Sequence, residues 1–188
     1  MDGDEIQCSD SMVLLGFKFS NRPNVSAHID LIVNKFNIRL WLIRHLIQAG
    51  VDQKDIVTIF ATVIRPVIEY AAPVYQPMMT ATHVEQIKKL QQRALKVIYG
   101  QKTSYSKTLE ASGLPTLAER RKEIMKKFVK KISISKTFER WIPTHRPYSY
   151  GLRNELKYQE ENAHTERLYN SPIFYIRRLL NNDYQIDM

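Results

Sequence analysis

The stretch TATHVEQIKKLQQRALKVIYG, residues 80–100, decides the fold. Val84, Ile87, Leu90, Ala94, Leu95 and Ile98 recur at spacings of three and four, the period of a helix face turned toward a core. Thr80 or Thr82 can cap its start and Gly100 can close it, so the run reads as one full helix. Lys89, Arg93 and Lys96 fall four and three apart on another face, which is therefore cationic.

The segments on either side repeat this pattern. Ile29, Ile32, Val33, Phe36, Leu40, Ile43 and Ile47 predict a long amphipathic helix, with Ser26 as its N-cap and Gly50 as its stop. Asp52 opens a second helix through Ile56, Ile59, Phe60, Val63 and Ile64, which Pro66 kinks or ends by removing a backbone donor. A short helix around Ser106 to Ala111 ends at Gly113. Thr116-Leu117-Ala118-Glu119 is then a capping-box signature for a helix whose buried stripe is Leu117, Ile124, Phe128 and Ile132. Arg120, Lys127 and Lys131 line another face of that helix.

The two ends read differently. Ser11 to Phe19 is β-branched, aromatic and interrupted by Gly16, and the turn-like Ser20-Asn21-Arg22-Pro23 follows, so a strand or half of a hairpin is expected. From Thr137 to Tyr169 the periodicity fades among Trp141, Pro143, Pro147, Tyr148 and Tyr150, and an irregular, aromatic-anchored segment is expected. Ser171-Pro172 opens a last helix, Ile173 to Leu180, carrying Arg177 and Arg178. The fold class is mainly α, a bundle of about five helices with a short N-terminal β strand or hairpin. Residues 1–22 form a tail and strand, 23–133 a helical domain, and 134–188 an irregular linker with a C-terminal helix.

Charge is concentrated. Between His83 and Lys131 there are 13 Lys and Arg against 4 Glu, while the rest of the chain is balanced. The net charge of +9 therefore sits in the middle of the sequence, where a polyanion releases condensed counterions on meeting it. The single cysteine, Cys8, excludes an internal disulfide and a Cys-rich zinc module and fits an intracellular location, nucleus or cytoplasm. The MDGDEIQCSD start is acidic where a secretory leader would be basic and then apolar, so none is expected, and no stretch is expected to approach the roughly 18 apolar residues of a membrane span.

Other motifs carry less. Gly100-Gln101-Lys102-Thr103 lacks the earlier glycine of a phosphate loop and follows a helix. His83-Val84-Glu85 and His164-Thr165-Glu166 lack the Cys-x-x-Cys that a zinc deaminase needs. The five histidines show no ligand spacing, so neither metal nor cofactor is expected. Asn24-Val25-Ser26 is a formal glycosylation triplet better read as a helix cap. Tyr70, Tyr75, Tyr99 and Tyr105 offer stacking faces, with core or interface packing the better reading of each.

Four ordered blocks resemble the region after the active site in reverse transcriptases of non-LTR, LINE-type retrotransposons. They are Leu14-Leu15-Gly16-Phe17-Lys18-Phe19, residues 64–75 (IRPVIEYAAPVY), residues 90–100 (LQQRALKVIYG) and residues 113–121 (GLPTLAERR). The resemblance spans about residues 13 to 132, and Arg177-Arg178-Leu179-Leu180-Asn181 is similar to the family's tail. It implies a primer-grip-like strand at Leu15, Gly16 and Phe17 leading into a polymerase-thumb-like helical domain that holds template-primer duplex.

The palm of that family holds two cations on paired aspartates. No Asp-Asp pair occurs among Asp2, Asp4, Asp10, Asp30, Asp52, Asp55, Asp183 and Asp187, so no catalytic residue is assigned and polymerisation by this chain alone is not expected.

The resulting expectation is a remnant that binds RNA, DNA or hybrid duplex through phosphate contacts from Lys89, Arg93, Lys96, Arg120, Lys127 and Lys131. No small-molecule substrate and no membrane is expected, and an exposed apolar face favours self-association. The alternative is a helical protein-interaction module with a basic surface for an acidic partner. A third reading attaches the Thr116 to Ile132 helix to anionic lipid.

Overall fold

The computed structural model describes residues 9–21, 24–138, 158 and 162–186. They are mostly helical, with one antiparallel two-stranded sheet at the N-terminal side. They divide into two compact units: residues up to Tyr70 with Thr80–Leu114, and Ala71–Met79 with the residues from Pro115 onward. This division differs from a single 23–133 block, because the helix after Thr116 packs with the C-terminal helix.

In the first unit, β1 (Ser11–Leu14) pairs with β2 (Phe17–Ser20) in the register Leu14 to Phe17 and Ser11 to Ser20. The two-residue turn, Leu15-Gly16, has positive φ at both positions (49° and 79°), as a primed hairpin turn requires. Phe17 is buried and stacks on the His28 ring with centroids 4.1 Å apart. The Lys18 N–H donates to His28 Nδ1 at 3.3 Å, so the hairpin is seated on the first helix.

That helix, α1 (Ser26–Gln48), buries His28, Ile29, Ile32, Phe36, Leu40 and Ile43, whereas Ile47 is exposed and Val33 half-buried. Ser26 is not the N-cap. Val25 holds that position, Asn24 Oδ1 accepts the Ser26 N–H at 3.3 Å, and the Ser26 hydroxyl turns to a neighbouring helix instead.

The α2 helix (Gln53–Ile59) follows Asp52, whose side chain makes no capping bond. It widens into a π-helical turn at Phe60–Ile64 and resumes as α3 (Arg65–Glu69). Pro66 explains the widening, since its ring crowds the carbonyl four residues back and it has no N–H to offer. At this irregular turn Arg39 of α1 donates to the Val63 carbonyl at 2.8 Å.

The chain returns to the first unit in α5 (Ala81–Tyr99), reached through α4 (Ala72–Tyr75) and a 3-10 turn at Gln76–Met78. Ile87, Leu90, Ala94, Leu95 and Ile98 are buried as the spacing predicts, and Gln91 joins them, its Oε1 accepting from the Tyr105 hydroxyl at 3.1 Å. Val84 is exposed, lying in the first turn. The short α6 (Tyr105–Ser112) stops at Gly113 with φ of 63°.

In the second unit, α7 (Leu117–Ile134) starts with the expected capping box: the Glu119 N–H donates to Thr116 Oγ1 and Glu119 Oε2 accepts the Thr116 N–H at 2.8 Å. Its buried stripe is Leu117, Arg121, Met125, Val129 and Ile132. Ile124 is only half-buried and Phe128 is exposed, so the helix is turned from the expected stripe. The observed positions repeat at four, four, four and three, but they include an arginine that hydropathy alone places outside.

The C-terminal helices are α8 (Glu166–Tyr169) and α9 (Pro172–Ile186), the latter longer than Ile173 to Leu180. Ile176 packs with Met125, Val129, Ile132 and Tyr158. The Asn181 amide meets the backbone of Tyr158 twice, accepting at 2.9 Å and donating at 3.1 Å. Trp141, Pro143, Pro147, Tyr148 and Tyr150 lie outside the described residues.

Contrary to expectation, one stretch does approach a membrane span in length and composition. The 26-residue run Gln53–Met78 is long and apolar enough by composition to cross a bilayer. Thr, Tyr and Pro interrupt it, so a search for unbroken apolar residues misses it. Its helix breaks at Tyr70, which is extended, and at Ala71, which is left-handed with φ of 57°. Ile56, Phe60, Ile64 and Ile68 are spent on the core of the first unit.

Candidate nucleic-acid interface

Two hydrogen bonds set how α1 and α5 lie together. His83 accepts the Thr80 N–H on Nδ1 at 3.3 Å while the His83 N–H donates to Thr80 Oγ1, a capping box with histidine in the usual place of glutamate. With Nδ1 accepting, Nε2 carries the proton and donates to Ser26 Oγ at 3.2 Å. Eleven residues into α1, Asn37 Oδ1 accepts from Arg93 Nη1 at 2.9 Å. The offset between partners is nearly the same at both contacts, so the helices run parallel in register.

This packing leaves Lys89, Arg93 and Lys96 exposed on one face of α5. Lys89 and Lys96 have no ion pair among the described residues. Lys88, which does pair with Glu85 at 3.6 Å, lies one residue round the helix. Among the described residues Arg93 is tied only to a neutral amide, which leaves its positive charge undiminished.

In the second unit, Lys127 and Lys131 are exposed on α7, and residues 124–134 contain no carboxylate. Arg120 differs from the expected free contact. Glu123, one turn on, holds its Nη1 at 3.0 Å, and the side chain is only 25% exposed. A phosphate would have to displace that carboxylate. Arg121, not singled out by its spacing, is 4% exposed, and burial lowers its pKa while nearby Tyr75 opposes the shift. Its Nη1 has no hydrogen-bond partner among the described residues.

The primer-grip-like residues have a defined local setting. The Tyr70 hydroxyl donates to the Leu15 carbonyl, and a Cβ on Gly16 would stand 3.2 Å from the Tyr70 ring. Tyr70 thus clamps the turn from α3, while Leu15 projects outward at 84% exposure. Beneath the turn is a pocket of about 310 Å³ lined by Gly16, His28, Ile32, Lys35, Arg39 and Tyr70 among others. Burial and the Lys35 charge push the His28 pKa down to about 4, which keeps its ring neutral at physiological pH.

The four tyrosines are occupied structurally or only partly open. Tyr75 is fully buried, Tyr70 clamps the turn, Tyr105 holds Gln91, and Tyr99 is half-buried with its hydroxyl pKa raised by that burial. The aromatic residue most open to solvent on α1 is Trp41, at 59% exposure. It follows Leu40 directly, so it falls off the buried stripe, and that displacement was the available signal for it. No family model, no curated protein and no solved structure matches this chain.

Proposed function

We propose that this chain is a nucleic-acid-binding, thumb-like part of a reverse transcriptase of the non-LTR retrotransposon class. It grips the phosphates of a template-primer duplex without reading sequence, and it does not polymerise alone. The observation that carries this reading is the exposed row Lys89, Arg93 and Lys96 on α5, held on a rigid helix and free of carboxylate partners among the described residues. Lys127 and Lys131 add a second basic face in the other unit. Contacts of this kind position a duplex, and each contributes through counterion release. The hairpin, the Pro66 segment, α5 and the Thr116 helix carry, in order, the four sequence blocks on which the family resemblance rests.

The test is fluorescence anisotropy of the full chain with an RNA–DNA hybrid over a range of salt concentrations. Affinity should fall steeply with salt, with a log-log slope of about −0.9 for each phosphate neutralised. Reversing Lys89, Arg93 and Lys96 to Glu together should reduce both affinity and slope. Unchanged binding in that variant refutes the reading. Capture of an acidic protein that survives nuclease treatment, with no hybrid binding, supports a protein-interaction module instead.

A further inference from the structure

The parallel register of α1 and α5 places more than charge at the basic face. Arg93 is level with Asn37, so Lys96, one turn further along α5, is level with the turn of α1 that carries Leu40 and Trp41. Asn37 and Arg44 are seven residues apart on the same flank of α1, and Trp41 lies between them. The 59% exposed indole therefore shares a flank of α1 with Arg44 and with Asn37, which holds Arg93, and it stands level with the turn of α5 that carries Lys96.

The indole is also held in place. The His45 ring lies against it with centroids 3.7 Å apart and a 42° tilt, and His45 Nδ1 is 2.9 Å from the Trp41 carbonyl oxygen. A propped aromatic surface loses little freedom when something stacks on it. The α1 helix carries no carboxylate after Asp30. Ile38 and Leu42 are also exposed on this part of α1, but a purely apolar interface has no use for the cations these turns carry, whereas a nucleotide strand needs both a ring for the base and cations for its phosphates.

We infer that Trp41 is a stacking platform for an unpaired nucleobase, with Arg44, Arg93 and Lys96 holding the flanking phosphates of a single-stranded segment. This deepens the nucleic-acid reading and rests on it. A base stacked inside a duplex has no free face to offer, so the site takes a single-stranded overhang or end rather than the paired region.

The experiment uses the full chain carrying Trp141→Phe, which leaves Trp41 as the sole tryptophan. Oligothymidylate should quench its fluorescence saturably, while heparin, a polyanion without bases, should bind the same cations and leave the indole emission unchanged. Trp41→Ala should weaken oligothymidylate binding about tenfold, and Trp41→Phe should recover much of the loss. Binding of a blunt RNA–DNA hybrid should be nearly unaffected by either change.

Full single-strand affinity in Trp41→Ala, with circular dichroism unchanged, overturns the platform while leaving the duplex reading intact. Failure of the unsubstituted chain to bind hybrid or oligothymidylate overturns both. Loss of a dimer on sedimentation with unaltered nucleic-acid affinity assigns the tryptophan to a second copy of the chain and also overturns the inference.

Discussion

Arg93 of α5 donates to the Asn37 amide oxygen of α1 at 2.9 Å, an arginine held by a neutral group instead of a carboxylate. The bond orients the guanidinium and leaves its charge available. Asn37→Asp changes one atom type and turns the pair into a salt bridge. If Arg93 contacts phosphate, this variant should bind hybrid about three- to tenfold more weakly, with a salt slope shallower by about one unit. Anisotropy over a salt series measures both, and an unchanged slope removes Arg93 from the contact set.

Gly16 has φ of 79° and lies against Tyr70, so Gly16→Ala adds left-handed backbone strain and a Cβ 3.2 Å from the ring. A loss of about 1–2 kcal/mol is expected in urea unfolding. Leu15 also has positive φ, and its side chain is exposed, so Leu15→Asn should stabilise the turn by several tenths of a kcal/mol, about what αL tolerance supplies. A destabilised Leu15→Asn shows that the leucine side chain is packed in solution.

His28 gives a pH signature. Its folded pKa, about 4, lies below the unfolded value of 6.5, so the unfolded state takes up protons first as pH falls. The contribution is fully present above about pH 6.5 and is lost progressively toward pH 4, by at most about 3 kcal/mol. His28→Asn keeps an acceptor for the Lys18 N–H and should flatten this part of the stability profile. An equally steep profile in the variant places the titration elsewhere.

Arg121 is buried in α7, and its Nη1 has no hydrogen-bond partner among the described residues. Replacing a poorly compensated buried cation by an unbranched apolar side chain removes its desolvation cost. Arg121→Met should raise the thermal midpoint, by an amount corresponding to about 1 kcal/mol or more. A clear drop shows that the guanidinium makes a net stabilising contribution to the fold.

His83 bridges two helix starts, so His83→Ala should cost about 1 kcal/mol from the lost cap. His83→Gln can restore the acceptor for the Thr80 N–H and should recover part of that loss. Chemical denaturation of the two variants separates the cap from the Ser26 contact, and equal stabilities show that capping contributes nothing.

Local chemistry along the chain determined much of this protein. The periods of α1 and α5, the Thr116–Glu119 box, Gly113 as a stop and the effect of Pro66 all depend on residues within a turn or two of each other. The clustering of cations between His83 and Lys131 was equally legible. Tertiary packing decided the rest, because it sets which face of a helix loses water. It turned α7 so that Arg121 went in and Phe128 came out, tied the Leu15-Gly16 turn to Tyr70 across 54 intervening residues, and brought Trp41 level with Lys96. Those relationships are made between residues distant in the chain, and no spacing within one segment encodes them.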